Sequence, residues 1–390
     1  MLNYLTAQPP APELCRTEAI SIALGGSIAL AAAVGIGRFV YTPVLPAMVE
    51  ALGLSKSGAG LIASTNFLGY LMGALAAAMP ILPGSRRLWL LGALIVSALT
   101  TGGMGLTESL PAFLALRFLG GVASALALIL ASALVLERLA ATNYAGLSSL
   151  HFSGVGSGIA ISALLVATME HIAASWQSLW LASGALSLAA VIGVAWLLQT
   201  DTTPHHLADR APQKNTRSLI CLIIAYGLVG FGYVITATFL VAIVRSTPAI
   251  SQLEPVIWVV FGTAVVPASS FWARIAVPLG IPKAFALASV TEAAGVAVSV
   301  VWPSKFGVFL AAILVGGTFV SLMALGMVRA RALAPGDSRR VVAWMTSAFG
   351  LGQIVGPLFA GLLADRLGSF TTPSMAAAVA LVAAAALANR

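Results

Sequence analysis

The sequence divides into twelve apolar runs, each near the roughly 20 residues a helix needs to cross a bilayer. They cover residues 19–48, 57–79, 87–107, 111–136, 145–169, 174–198, 218–245, 253–273, 283–302, 306–329, 340–364 and 371–389. Lipid offers no water to unpaired backbone groups, so such runs can cross only as helices or as closed barrels. Barrel strands would be about ten residues long and alternate in polarity, which these runs do not. Of the 390 residues, 59% are hydrophobic and only 8% charged, against about 25% charged in a soluble domain. The expected fold class is all-α and integral to a lipid bilayer, with twelve transmembrane helices.

Basic residues set the expected orientation, because cytoplasmic loops are enriched in lysine and arginine. With the N-terminus inside, fourteen of the 20 basic residues lie in inner segments and four in outer ones. The remaining two, Arg38 and Arg117, fall within or at the edge of spans. Both termini are therefore expected in the cytoplasm. The net charge of +8 is scattered over short loops, so it speaks for topology and not for nucleic acid. Cys15 and Cys221 are far apart and imply neither a disulfide framework nor a metal site. The segment MLNYLTAQPPAPELCRTE has no basic stretch leading into an apolar core, so it is expected to be a cytosolic tail and not a cleaved signal.

The chain repeats itself weakly. FLGGVASALAL (118–128) aligns with LVGGTFVSLMA (314–324), GVGSG (154–158) with GLGQI (350–354), and GIGRF (35–39) with GFGYV (230–234). The near-constant offset predicts two pseudo-symmetric six-helix bundles with a site between them near the bilayer midplane. The expected division is a tail (1–18), a first bundle (19–198), a polar cytosolic linker (199–217) and a second bundle (218–390).

Several stretches resemble the major facilitator superfamily of transporters. LALRFLGGVAS, with Arg117 and Gly121, is similar to its fourth-helix signature, an arginine followed four residues on by a glycine. GIGRFVYTPVLPAM, STNFLGYLMGAL and GQIVGPLFAGLLADRLGSF look like the bacterial YbfB/YjiJ-type subgroup. Two departures stand out: the loop PILPGSRRLWL lacks the usual acidic residue, and the fifth-helix glycine–proline motif is missing. The resemblance implies a bacterial inner (plasma) membrane, alternating access about a central site, a small-molecule substrate and, by default, a monomer.

Arg38 is the leading site candidate. An arginine deep in a span costs about 2.5–3.5 kcal/mol on insertion scales and ordinarily faces a cavity or a partner. Its planar guanidinium suits a carboxylate or another oxyanion; the competing reading has it reaching for the outer face or pairing with an internal acid. Glu292 sits mid-span, and a carboxylic acid in apolar surroundings can take up and release a proton, as a proton-coupled carrier requires. Its competing role is as partner to a cation or a plain cavity-lining residue.

Asn66 and Tyr70 share a face of the second span, four residues apart. Tyr226 and Tyr233 share a face of the seventh, and Tyr233 aligns with Arg38 across the repeat. With Tyr41, Trp344 and Gln353 they complete the candidate substrate site, although interhelical packing explains each of them equally well. Arg117, Gly121, Gly154, Gly158, Gly356 and Pro357 are assigned to packing and gating. His151 suits a structural hydrogen bond or a proton relay.

No nucleotide-binding or zinc-protease motif occurs, and GIGRFV lacks the third glycine and the strand of a dinucleotide fingerprint. No cofactor, metal or enzymatic reaction is expected. The function read from the residues and the resemblance together is secondary active transport of a small organic anion or metabolite, as a symporter or antiporter coupled to protons. The alternative is efflux of amphipathic drugs, for which Phe39, Tyr70, Trp258 and Trp344 would supply an apolar cavity. A membrane enzyme would need a nucleophile–base or metal constellation, and a sensor would need an output domain; the sequence shows neither.

Overall fold

The computed structural model describes residues 15–78, 84–140, 144–198, 216–334 and 338–388, and among these it is helical throughout with no strand. The expected linker at 199–217 and tail at 1–18 fall almost wholly outside the described residues. Twelve helical spans are present: α1 (Arg16–Leu52), α2 (Lys56–Ala77), α3 (Arg86–Leu106), α4 (Leu110–Ala140), α5 (Ser148–His171), α6 (Trp176–Leu197), α7 (Arg217–Arg245), α8 (Ser251–Leu279), α9 (Ile281–Val301), α10 (Lys305–Leu333), α11 (Arg340–Leu367) and α12 (Thr371–Ala388).

The first six spans pack as one bundle, through α2 on α4, α3 on α4 and α6, and α1 on α5. The last six repeat the pattern, with α7 on α11 and α12 and α9 on α10 and α12. The bundles meet along two long seams, α2 against α11 and α5 against α8, and along a shorter contact of α1 with α7. This is the pseudo-symmetric arrangement that the internal repeat predicts.

Helices in lipid associate by close packing, so small residues mark their crossings. A Cβ at Gly158 would lie 2.7 Å from Cα of Ala31, so α5 can approach α1 only with glycine there. Gly154 meets Ser27 of α1 in the same way, Gly121 of α4 lies on the Asn66–Tyr70 backbone of α2, and Gly356 of α11 abuts Val234 of α7. The Pro357 carbonyl faces Gly60 at the α2–α11 seam.

Three spans depart from the expected run of helix. α8 continues to Leu279, past the end expected at residue 273, because Arg274 stays helical and the turn comes only at Gly280, whose φ is +77°. α10 is interrupted between Gly316 and Phe319. α1 widens into a π-helical turn at Ala31–Ile36 and resumes as α-helix at Tyr41.

At the end of the bundle away from the first and last helix tips, polar contacts clamp the halves together. Asp365 of α11 accepts hydrogen bonds from the Lys56 and Ser57 amides at 3.0 and 2.9 Å, capping the first turn of α2 from the opposite half. Arg245 of α7 pairs with Glu50 of α1, reaches Glu170 of α5 at 3.8 Å and pairs with Glu254 of α8 at 3.0 Å. The Thr42 hydroxyl donates to the Ala237 carbonyl at 2.7 Å, joining α1 to α7.

Candidate substrate site

The break in α1 builds the site. Prolines at 43 and 46 remove two amide donors, and the π turn shifts the ladder, with the Gly37 amide bonding the Ala32 carbonyl at 2.9 Å. The Gly37 and Arg38 carbonyls turn out of the helix, and both accept from Arg117 of α4, through Nη1 and Nη2, at 3.1 Å each. Asn66 of α2 completes the link by donating from Nδ2 to the Arg117 carbonyl at 2.8 Å. Arg117 is buried, and its two terminal nitrogens shape the backbone that carries Arg38.

Arg38 itself is only 5% exposed. Its guanidinium carbon lies 4.2 Å from the Tyr70 ring centroid, 4.5 Å from Phe67 and 5.5 Å from Phe39. Ring faces attract the cation, by about 0.5–2 kcal/mol each depending on desolvation, and the Tyr70 hydroxyl lies within hydrogen-bonding reach of it. Nε and Nη2 have no hydrogen-bond partner on the protein among the described residues.

The second bundle faces this cation with aromatic rings. Phe39 reaches across to Trp258 of α8 at 6.5 Å and to Phe319 of α10 at 5.9 Å between centroids. Tyr233 of α7 stacks on Phe319 at 5.2 Å and on Phe349 of α11 at 5.7 Å, and Trp258 stacks on Phe261 at 4.4 Å. Gln353 donates from Nε2 to the Tyr233 hydroxyl. Gln353 Oε1 and Trp258 Nε1 are left without protein partners among the described residues.

Glu292 of α9 is fully buried, and neither carboxyl oxygen has a hydrogen-bond partner among the described residues. Its neighbour Thr318, at the interruption of α10, donates its hydroxyl to the Leu314 and Val315 carbonyls and lies within hydrogen-bonding reach of the carboxyl group. The Tyr233 hydroxyl is within electrostatic reach of both Arg38 and Glu292.

The structure thus gathers Arg38, Asn66, Tyr70, Tyr233 and Gln353, as the spacing on separate helices suggested. Tyr226 is adjacent, packed on Phe349 at 4.9 Å, with its hydroxyl donating to the Met323 carbonyl at 3.0 Å.

Two expected members lie elsewhere. Tyr41 is buried but points to the α1–α2 contact, donating to the Ala59 carbonyl at 2.8 Å with its ring against Arg117 and Trp180. The π turn and break rotate it away from the face that Arg38 occupies. Trp344 is 55% exposed and takes no part in the aromatic group, being more than two turns from Gln353 along α11. His151 is a structural residue, hydrogen-bonded through Nε2 to Ser132 Oγ at 3.0 Å and packed on Phe152. Sequence reasoning missed Phe67, Phe261, Phe319 and Phe349. Phe67, next to Asn66 on α2, was the most accessible of them, since it neighbours a face already singled out.

Two six-helix bundles meet through α2–α11 and α5–α8, and the match of a family model over residues 30–389 makes the chain a transporter of the major facilitator superfamily. The model of the family described as "Uncharacterised MFS-type transporter YbfB" matches residues 30–389, and the chain belongs to that family. In fold it is similar to the crystal structure of a mutant of the nucleoside transporter NupG, with a TM-score of 0.70 and 16% identity over 95% of this chain and 99% of that one. It is similar also to a bacterial homologue of the human lysosomal transporter Spinster, solved inward-facing and unoccupied, with a TM-score of 0.69 and 16% identity over 96% of this chain and 97% of that one. No curated protein matches it in sequence. Family and structural neighbours are transporters and not enzymes.

Proposed function

We propose that the protein is a secondary active carrier that moves a small organic anion by alternating access, with Arg38 as the counter-ion and proton uptake at Glu292 as the source of coupling. The observation that carries the reading is the Arg38 guanidinium: buried between aromatic faces, with two N–H groups unpartnered and no carboxylate of the described residues paired with it. A buried charge without a partner is costly, and an anionic substrate supplies what the protein does not. Glu292 supports coupling because, among the described residues of the second bundle, it is a fully buried acid with no cation paired to it.

The loop charges support a plasma-membrane protein with both termini in the cytoplasm. Under that orientation the clamp of Asp365, Arg245 and Glu50 closes the outer end. A single copy contains both bundles and the whole site, which supports a monomer.

The test is binding to the purified chain. Small carboxylates and lipophilic drugs are compared for their effect on thermal stability, using wild type and Arg38→Gln, since a ligand that binds only the folded state raises stability by mass action. The reading requires an anion that stabilises wild type and not Arg38→Gln. Stabilisation by drugs alone, equal in both proteins, would hand the site to amphipathic efflux.

A further inference from the structure

We propose that the transported anion is an aromatic monocarboxylate, bound with its carboxylate on the Nε–Nη2 edge of Arg38 and its ring between Phe39 of the first bundle and Trp258 and Phe319 of the second. This rests on the organic-anion reading above and narrows it.

The free nitrogens of Arg38 are not an arbitrary pair. Nε–H and the adjacent Nη2–H point in parallel from one edge of the guanidinium plane, and that fork matches the two oxygens of a carboxylate. The guanidinium carbon lies within 4.5 Å of the Tyr70 and Phe67 ring centroids, and the Nε–Nη2 edge is the part of the group that lacks protein partners among the described residues. Arg117, the other buried guanidinium here, commits both terminal nitrogens to the Gly37 and Arg38 carbonyls and keeps only Nε without a protein partner among the described residues. The site therefore takes one carboxylate.

The surroundings of the fork select the rest of the molecule. Phe39 follows Arg38 directly in the chain, and its ring is the first bundle's contact with Trp258 and Phe319. Behind these two stand Phe261 and Tyr233, in stacked contact with them. When the bundles rock apart, Phe39 leaves Trp258 and Phe319, and the planar faces thus uncovered are best re-covered by another ring, in the offset or edge-on geometry that aromatic pairs prefer. A short aliphatic acid reaches the fork but leaves this wall uncovered.

The experiment uses the purified full-length chain and four probes: benzoate, its neutral amide benzamide, acetate and succinate. Each is titrated against thermal stability in wild type, Arg38→Gln and Phe319→Leu. Benzoate is expected to stabilise wild type at concentrations roughly two- to tenfold below acetate or succinate, the factor that one well-formed aromatic contact supplies. Benzamide should do nothing, and Arg38→Gln should abolish the benzoate effect. Phe319→Leu should weaken benzoate without changing the response to acetate.

Acetate or succinate acting as strongly as benzoate would overturn the aromatic monocarboxylate while leaving the anion reading intact. Benzamide matching benzoate, with Arg38→Gln unaffected, would overturn both. The comparison of probes on wild type decides the matter even if Phe319→Leu fails to fold.

Discussion

Arg117 holds Arg38 by the backbone: its two terminal nitrogens donate to the carbonyls of Gly37 and Arg38, each at 3.1 Å. The arginine of the fourth span thus stabilises the interruption of the first, and that interruption is what turns the Arg38 side chain into the space between the bundles. The two guanidiniums have opposite fates. One is consumed by structure, and the other is left with a free edge.

Removing Arg117 should therefore damage both stability and binding. Arg117→Ala orphans two buried carbonyls, at about 1–3 kcal/mol each, and the thermal midpoint should fall by several degrees. Arg117→Lys can reach one carbonyl and should recover part of the loss. If Arg117→Ala unfolds at the wild-type temperature, the contact with α1 is incidental.

Arg38→Lys separates charge from geometry. Lysine keeps the positive charge but offers a point donor in place of a planar fork. Losing one charge-assisted hydrogen bond, worth about 1.5–3 kcal/mol, predicts carboxylate binding some ten- to hundredfold weaker, with the fold retained. Titration calorimetry on the two proteins makes the comparison; equal affinities would show that Arg38 acts as a bare charge.

Glu292→Gln should uncouple transport from protons while sparing the substrate site. Glutamine preserves shape and removes the titrating proton. In proteoliposomes, exchange of labelled substrate across the membrane should persist, whereas accumulation driven by an imposed pH gradient should disappear. Gradient-driven accumulation that survives in Glu292→Gln would move the coupling site elsewhere.

Asp365→Ala should loosen the clamped end. The carboxylate caps α2 from α11, and loss of a cap costs about 0.5–2 kcal/mol. Since the cap spans the two halves, that energy biases their opening, by roughly two- to thirtyfold in population. A cysteine placed at Ala237, beside the α1–α7 contact, reports it in a background with Cys15 and Cys221 replaced. Its labelling by a membrane-impermeant thiol reagent should rise in Asp365→Ala; unchanged labelling would mean that Arg245 and Thr42 suffice to hold the end shut.

The residues that sequence reasoning placed well are those whose role depends on one helix. Asn66 and Tyr70 are four apart and do share a face toward Arg38 and α4. Tyr233 aligns with Arg38 in the repeat and does confront it from the second bundle. Tyr41 was misplaced because helical spacing assumes an unbroken helix, and the π turn at Ala31–Ile36 changes the register that spacing relies on. Trp344 shares α11 with Gln353, yet nine residues of separation put it well along the helix from the site. Phe319 and Phe261 carry no mark in an apolar sequence that distinguishes them from packing phenylalanines.

What the sequence by itself determined is the class of the protein: twelve helices, because apolar runs of that length have no other way to satisfy their backbone in lipid, and a cation buried in the first of them. It also determined the pseudo-symmetry, through small residues repeated at a near-constant offset, because those residues set where helices can approach. Only the tertiary structure decided which nitrogens of which arginine remain free. Arg117 and Arg38 are chemically alike in one dimension; they differ because α4 brings the first against two carbonyls of a broken helix, while the second packs among Tyr70, Phe67 and Phe39 with Nε and Nη2 unpartnered among the described residues. Hydrogen bonding is directional and short-ranged, so that distinction exists only once helices far apart in the chain have packed together.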